Sequence, residues 1–237
     1  MIREARVFAD AALMTRAIAE ESLRITQEGI TQRGRCAICL SGGSTPKALN
    51  ELWARDYCSR MPWNQIHLFW GDERYVPQDD PHSNYRMARE SLIAHVAIPP
   101  QNIHPMPTHH AQPNEAAREY DSELRRFFGT QPEFDILFLG VGVEGHTASL
   151  FPGSPALAET HRWVVNAEVP ANPASRLTLT YPVINRARNV FFLAAGPGKR
   201  EILQAIRRDP GGPQSPYPAA RVDAARIIWF VDQMAAF

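Results

Sequence analysis

No charge of either sign dominates this chain of 237 residues: 25 Lys and Arg stand against 25 Asp and Glu, a formal net charge of zero. A balanced total leaves no broad electrostatic footprint for nucleic acid, although it permits a local cationic pocket for a small anion. Long hydrophobic runs are also missing. The apolar stretches are strand-sized, too short to cross a bilayer. The opening Met1-Ile-Arg-Glu-Ala-Arg6 lacks the apolar centre of a signal peptide. These absences lead us to expect a cytoplasmic protein with no nucleic-acid or membrane partner. Cysteine is scarce, with three in all. Cys36-Ala-Ile-Cys39 has a metal-like spacing, but no second pair or histidine cluster completes four ligands. It lies in the strand-like run Arg35–Leu40, where buried, inert thiols are expected, and no metal is assigned. The odd count fits a reducing compartment. Internal repeats and domain linkers are absent too, so residues 1–237 are read as one domain, long enough to bury a sizeable core.

What is present reads as globular: 44% of residues are hydrophobic and 21% charged. Strand-like and helix-like segments alternate along the chain. An amphipathic pattern from about Ala11 to Ile30 predicts a helix with Leu13, Ala17, Ile18 and Leu23 on one side. Strand-like runs follow at 35–40, 66–70, 134–139, 163–166, 177–180, 189–194 and 227–231. Between them lie a helix with Pro46 in its first turn, where the missing donor costs nothing, and helical patterns near 85–95, 114–128 and 199–207. This alternation predicts a Rossmann-like, doubly wound α/β fold, a mostly parallel sheet with helices on both faces. In such sheets ligands gather beyond the carboxyl ends of the strands, and four motifs are placed there.

The most informative is Gly140-Val-Gly-Val-Glu144-Gly145-His146-Thr-Ala-Ser-Leu-Phe-Pro-Gly153, after the apolar run Phe134–Leu139. Glycines let the backbone turn sharply and leave amides open to a ligand, and a titratable imidazole stands where the turn ends. Gly140-x-Gly142-x-x-Gly145 matches the dinucleotide-binding fingerprint, with Glu168 at a tolerable distance for a ribose carboxylate. That fingerprint requires a long helix at once, and Pro152, Gly153 and Pro155 interrupt one. The dinucleotide reading is therefore set aside. Leu40-Ser-Gly42-Gly43-Ser44-Thr45-Pro46 turns from a strand into a helix and suits a phosphate. It lacks Walker A spacing, and an ordinary N-cap at Ser44 or Thr45 is its rival reading. Trp70-Gly-Asp72-Glu73-Arg74-Tyr-Val-Pro77 is read as a polar loop at a strand end, with His82-Ser-Asn-Tyr85 close behind. Its Arg74 is suited to phosphate. Arg176 leads into a strand at Leu177, and Lys199 opens a helix after a Gly-Pro turn, where an anion would meet both ammonium and helix dipole. Pro210–Pro218 is a stiff loop, with a plain connection preferred to a lid or interface.

By the blocks Leu-Ser-Gly-Gly-Ser-Thr-Pro, Gly-Asp-Glu-Arg-Tyr-Val-Pro, Gly-His-Thr-Ala-Ser-Leu-Phe-Pro-Gly and Arg-Leu-Thr-Leu-Thr, most of the chain resembles the 6-phosphogluconolactonases. These are sugar-phosphate lactone hydrolases of the pentose phosphate pathway. The resemblance implies that His146 is the catalytic histidine, and that Arg74, Arg176 and Lys199 contact phosphate or sugar oxygens. It departs at Glu144, where that family usually has Asp before Gly-His. The expected chemistry needs no cofactor: His146 assists water attack on the lactone carbonyl, amides of Gly42, Gly43 and Gly145 steady the oxyanion, and Asp72 orients water or a cation. Ser44 and Thr45 complete the expected phosphate site. The expected partner is the small-molecule lactone, with the chain a monomer or weak homodimer. Two rivals are weighed. An aminosugar-phosphate deaminase needs a Glu where this chain has Phe151, and a Tyr where it has Arg74. A sugar-phosphate sensor needs a DNA-binding segment ahead of the first helix, which starts within about ten residues of Met1.

Overall fold

The computed structural model describes residue 2 and residues 4–237. Seven strands form one fully parallel sheet: β1 (Ala5–Phe8), β2 (Cys36–Leu40), β3 (Ile66–Trp70), β5 (Ile103–His104), β6 (Ile136–Leu139), β9 (Val190–Ala194) and β10 (Ile227–Asp232). Their order is β1-β10-β9-β6-β2-β3-β5. Every residue of β2, β6 and β9 is buried. Both faces of the sheet are therefore covered, as parallel sheets require. A second, antiparallel sheet has the order β4-β8-β7, from β4 (Asp72–Arg74), β7 (Val164–Glu168) and β8 (Ser175–Leu179). Among the described residues six α-helices connect the strands: α1 (Ala11–Arg33), α2 (Ser44–Asp56), α3 (Asn84–Ser91), α4 (Pro113–Phe128), α5 (Tyr181–Ile184) and α6 (Arg200–Arg208). Among the described residues no helix is long and apolar enough to cross a membrane.

Local chemistry explains the element ends. The Asp10 carboxylate accepts from the Leu13 amide and caps α1, and Gly34 closes the helix in the left-handed region at φ 75°. The buried face of α1 runs through Met14, Ile18, Ala19 and Leu23. It is rotated from the predicted stripe, and Leu13 is exposed. Asp135, the one charge in the run leading to β6, ties neighbouring elements together. It accepts from the Ala37 amide of β2 at 2.8 Å and from the Arg33 guanidinium at the end of α1.

The small sheet corrects two expectations. Asp72–Arg74 is a strand rather than a loop, because β8 supplies its ladder. Arg176 lies within β8 rather than ahead of the strand. Gly71 joins the sheets: its amide donates to the Leu40 carbonyl of β2 at 3.0 Å, and its carbonyl accepts from the Leu179 amide of β8 at 2.8 Å.

Candidate active site

From β2 the large sheet continues outward through β3 and β5, and from β6 through β9, β10 and β1. Loops leaving β2 and β6 thus diverge, opening a crevice beyond the strand ends. Ser41-Gly42-Gly43 and Gly140-Val141-Gly142 are those loops. Both line a cavity of about 250 Å³, whose wall also carries His146, Asp72, Arg74 and Lys199. The cavity opens past Gly43, Arg74 and Asn84 into a broader groove of about 970 Å³ beside α2 and α3.

The start of α2 forms one side of the cavity. Its N-cap is Gly43, at φ 103° and ψ 172°, and no side chain caps the helix. The rival N-cap reading of Ser44 or Thr45 is therefore corrected: both lie inside the helix. Among the described residues the amides of Gly42, Gly43, Ser44 and Thr45 donate to no protein group. Free amides and the positive helix end make a seat for an anion. Gly42 cannot be larger, since a Cβ there would stand 2.0 Å from Asn84 Oδ1.

His146 lines the same cavity as that seat. Its Nδ1 lies 3.0 Å from Glu144 Oε1, but out of line, so this buried nitrogen has no hydrogen-bond partner among the described residues. The Glu144 carboxyl sits below its usual range: burial raises it, but its own backbone amide and the His146 ring outweigh that, with Lys199 helping. The His146 side chain is 27% exposed. With Nδ1 sealed, the open edge is the one carrying Nε2. Phe151 stacks on the ring at 3.9 Å between centroids and 15° between planes. Gly142 allows this packing, because a Cβ would meet His146 Nδ1 at 2.0 Å and Glu144 Oε2 at 2.5 Å. The Gly145 amide donates to the Gly142 carbonyl at 3.0 Å. It is not free for an oxyanion, which corrects that expectation and leaves Gly42 and Gly43.

The cations differ from one another in setting. Lys199 is the N-cap residue of α6, and its Nζ donates to the Val141 carbonyl at 2.7 Å. Arg74 lines the cavity and donates to the His82 carbonyl. Arg176 is opposite it in the ladder, 7% exposed, with a buried Nε that has no hydrogen-bond partner among the described residues. Burial first, then the Arg74 charge, lowers the pKa of Arg176. Arg176 is not among the residues that line the cavity; it pairs with Arg74 in the ladder. Like charges directly opposite on paired strands repel, and a neighbouring anion relieves that repulsion.

Two residues central to the site carried no role in the sequence reading. Asn84 lines the cavity, and its Nδ2 donates to the Asp72 carbonyl at 2.9 Å. Asp72 in turn accepts from Ser149 Oγ at 2.7 Å, which fixes its carboxylate. Glu73, 1% exposed, accepts from the amides of Arg74, Asn84 and Tyr85 and from Ser83 Oγ. Burial pushes its pKa up to about 7 against the pull of those amides. His82-Ser-Asn-Tyr85 was visible as a polar cluster, but its convergence on Glu73 is tertiary. Away from the cavity, His109, His110 and Glu119 bring possible metal-ligand atoms within 4.8 Å of one another. His110 Nε2 and Glu119 are already hydrogen-bonded to each other.

The family model described as glucosamine-6-phosphate isomerases/6-phosphogluconolactonase matches residues 9–229. A 6-phosphogluconolactonase of Synechocystis sp. is 47% identical, covering 94% of this chain and 92% of the relative. The Mycobacterium tuberculosis 6-phosphogluconolactonase is 36% identical, covering 97% and 96%. The crystal structure of the Thermotoga maritima 6-phosphogluconolactonase superposes with a TM-score of 0.84 at 29% identity, covering 97% of this chain and 99% of that one. The parallel sheet, the crevice between β2 and β6 and these relatives agree: the chain belongs to the glucosamine-6-phosphate isomerase/6-phosphogluconolactonase family, on its 6-phosphogluconolactonase side.

Proposed function

We propose that this chain hydrolyses 6-phospho-D-glucono-1,5-lactone to 6-phospho-D-gluconate, the lactone-opening step of the oxidative pentose phosphate pathway. One observation supports it above the rest. An imidazole with an open edge, two cations and an uncapped helix N-terminus share one cavity of about 250 Å³. A lactone already carries an electrophilic carbonyl, so what it needs is a base, an oxyanion seat and orientation. Nε2 of neutral His146 takes a proton from water as the water oxygen bonds to the lactone carbonyl carbon. The amides of Gly42 and Gly43 receive the developing oxyanion. The intermediate collapses by breaking the bond to the ring oxygen, which takes the proton back from the imidazolium. Such proton transfer contributes about 10²–10⁴-fold. Glu144 faces the Nδ1 side and favours the imidazolium that forms between the two transfers.

Arg74, Lys199 and the first turn of α2 hold the phosphate and turn remote binding into alignment at the carbonyl. Arg176 acts through Arg74, keeping its guanidinium turned from the ladder toward the anion. Phe151 matters to the choice of reaction as well, since a phenyl ring stacked on His146 carries no proton. The test is proton release from the phosphorylated and unphosphorylated lactones, corrected for spontaneous opening. His146→Ala lowers kcat by about 10²-fold or more. Arg74→Met raises KM for the phosphorylated substrate selectively. Equal losses on both lactones for Arg74→Met would remove the phosphate role.

A further inference from the structure

The Pro-rich segment after α6 is bound to the turn that carries His146. The Ala219 amide donates to the Gly145 carbonyl at 2.9 Å. The Tyr217 ring lies so close to Gly145 that a Cβ there would stand 2.7 Å from its Cδ1, while Gly145 itself holds φ 89°. The segment is stiffened from within: Ser215 Oγ accepts from the Tyr217 amide at 3.1 Å, and Arg221 Nε donates to the Ser215 carbonyl at 2.6 Å. It is also anchored from outside. The Tyr181 hydroxyl, at the start of α5 just after β8, donates to the Pro218 carbonyl at 2.8 Å. Among the described residues the Tyr217 hydroxyl makes no hydrogen bond, so only its ring is in use.

Gly145 sits between Glu144 and His146. Their contact is 3.0 Å long and out of line, so a small displacement of the turn changes what the imidazole feels. We propose that residues 210–221 brace the catalytic turn, with Tyr217 as the positioning residue and Tyr181 as its anchor. Neither tyrosine lines the cavity. Both act on the reaction through Gly145, by fixing where His146 and Glu144 stand. This rests on the proposed role of His146, and the experiment separates the two.

Tyr217→Ala, Tyr217→Phe, Tyr181→Phe and His146→Ala are compared on the phosphorylated lactone, at temperatures where circular dichroism shows each protein folded. Tyr217→Ala lowers kcat by about 10- to 100-fold, the scale of a misplacement near 1 Å, with KM within about twofold because the α2 seat is untouched. Tyr217→Phe retains the ring and restores wild-type kcat. Tyr181→Phe lowers kcat severalfold, again at constant KM, and carries the test if Tyr217→Ala does not fold. Unchanged kcat in Tyr217→Ala, or in Tyr181→Phe where the former is unfolded, overturns the brace. Equal loss in Tyr217→Phe and Tyr217→Ala does so too. If His146→Ala keeps its turnover, the reading of the site falls and the brace with it. If His146→Ala is inactive and Tyr217→Ala is normal, the brace alone falls.

Discussion

Gly142→Ala tests the placement of the imidazole and its Glu144 neighbour by a steric change alone. Gly142 has no left-handed φ, so alanine meets no backbone penalty there and its effect is steric. The added methyl would stand 2.0 Å from His146 Nδ1 and 2.5 Å from Glu144 Oε2, where ordinary contact begins at 3.4 Å. The ring must retreat by about 1.4 Å or the turn must open, and Phe151 stacked behind it at 3.9 Å limits the first choice. Overpacking of this kind costs about 1–3 kcal/mol of stability. A misplacement of about 1 Å costs on the order of 10²-fold in rate. We therefore expect kcat to fall at least 100-fold by proton release from the phosphorylated lactone. KM should stay within a few-fold, since Arg74, Lys199 and the start of α2 are untouched. Gly140→Ala is the control: it is two residues away, in the same loop, with nothing within 4 Å of an added Cβ. Wild-type kcat in a folded Gly142→Ala protein would refute the idea that this contact sets the histidine.

Two other outcomes follow from buried polar groups. Glu73→Gln keeps the shape but turns an NH₂ toward donors that now meet an acceptor. It should cost about 2–4 kcal/mol in urea unfolding, and raise KM as Arg74 and Asn84 loosen; unchanged stability and KM would deny Glu73 its clamping role. His67, on β3, has its pKa lowered to about 4 by burial first, then by the charges of His104 and Arg35. A depressed histidine favours the folded state when neutral, so its contribution is full above about pH 6.5 and lost as pH falls toward 4. Discounted for partial solvent exposure, that is about 1–2 kcal/mol. His67→Gln should flatten the fall in urea midpoint between pH 6.5 and 4, and a parallel fall in both proteins would dismiss the linkage.

The parallel sheet was legible because its strands are written locally. Ile66–Trp70, apolar at every position but His67, folds with those bounds, and glycines punctuate the ends of β2 and β6. The small sheet was legible only in part: β7 and β8 match the strand-like runs at 163–166 and 177–180, but β4 does not show in the sequence. Asp72–Arg74 has three polar residues and no strand signature, and becomes a strand only because β8 lies beside it. β1 and β5, four and two residues long, were not read as strands. In the site, His146, Gly42, Gly43, Arg74 and Lys199 could be found from turn chemistry and strand ends. The opposition of Arg74 and Arg176, the convergence on Glu73, and Tyr217 against Gly145 depend on register and on distant segments. The same limit misplaced the Gly145 amide, whose partner is three residues back in a turn that sequence alone does not close.

Gly71 gives the arrangement a consequence of its own. The imidazole belongs to the loop after β6 of the large sheet, while Asp72 and Arg74 ride on the small one, and where β3 passes to β4 a single residue, Gly71, separates the two sheets. One of the ties that set the distance from base to guanidinium therefore lies at that crossing, beside the hydrogen bond from Ser149 Oγ to Asp72. A shift there would retune the reach of the active site for longer or shorter sugar phosphates without altering any residue that touches them.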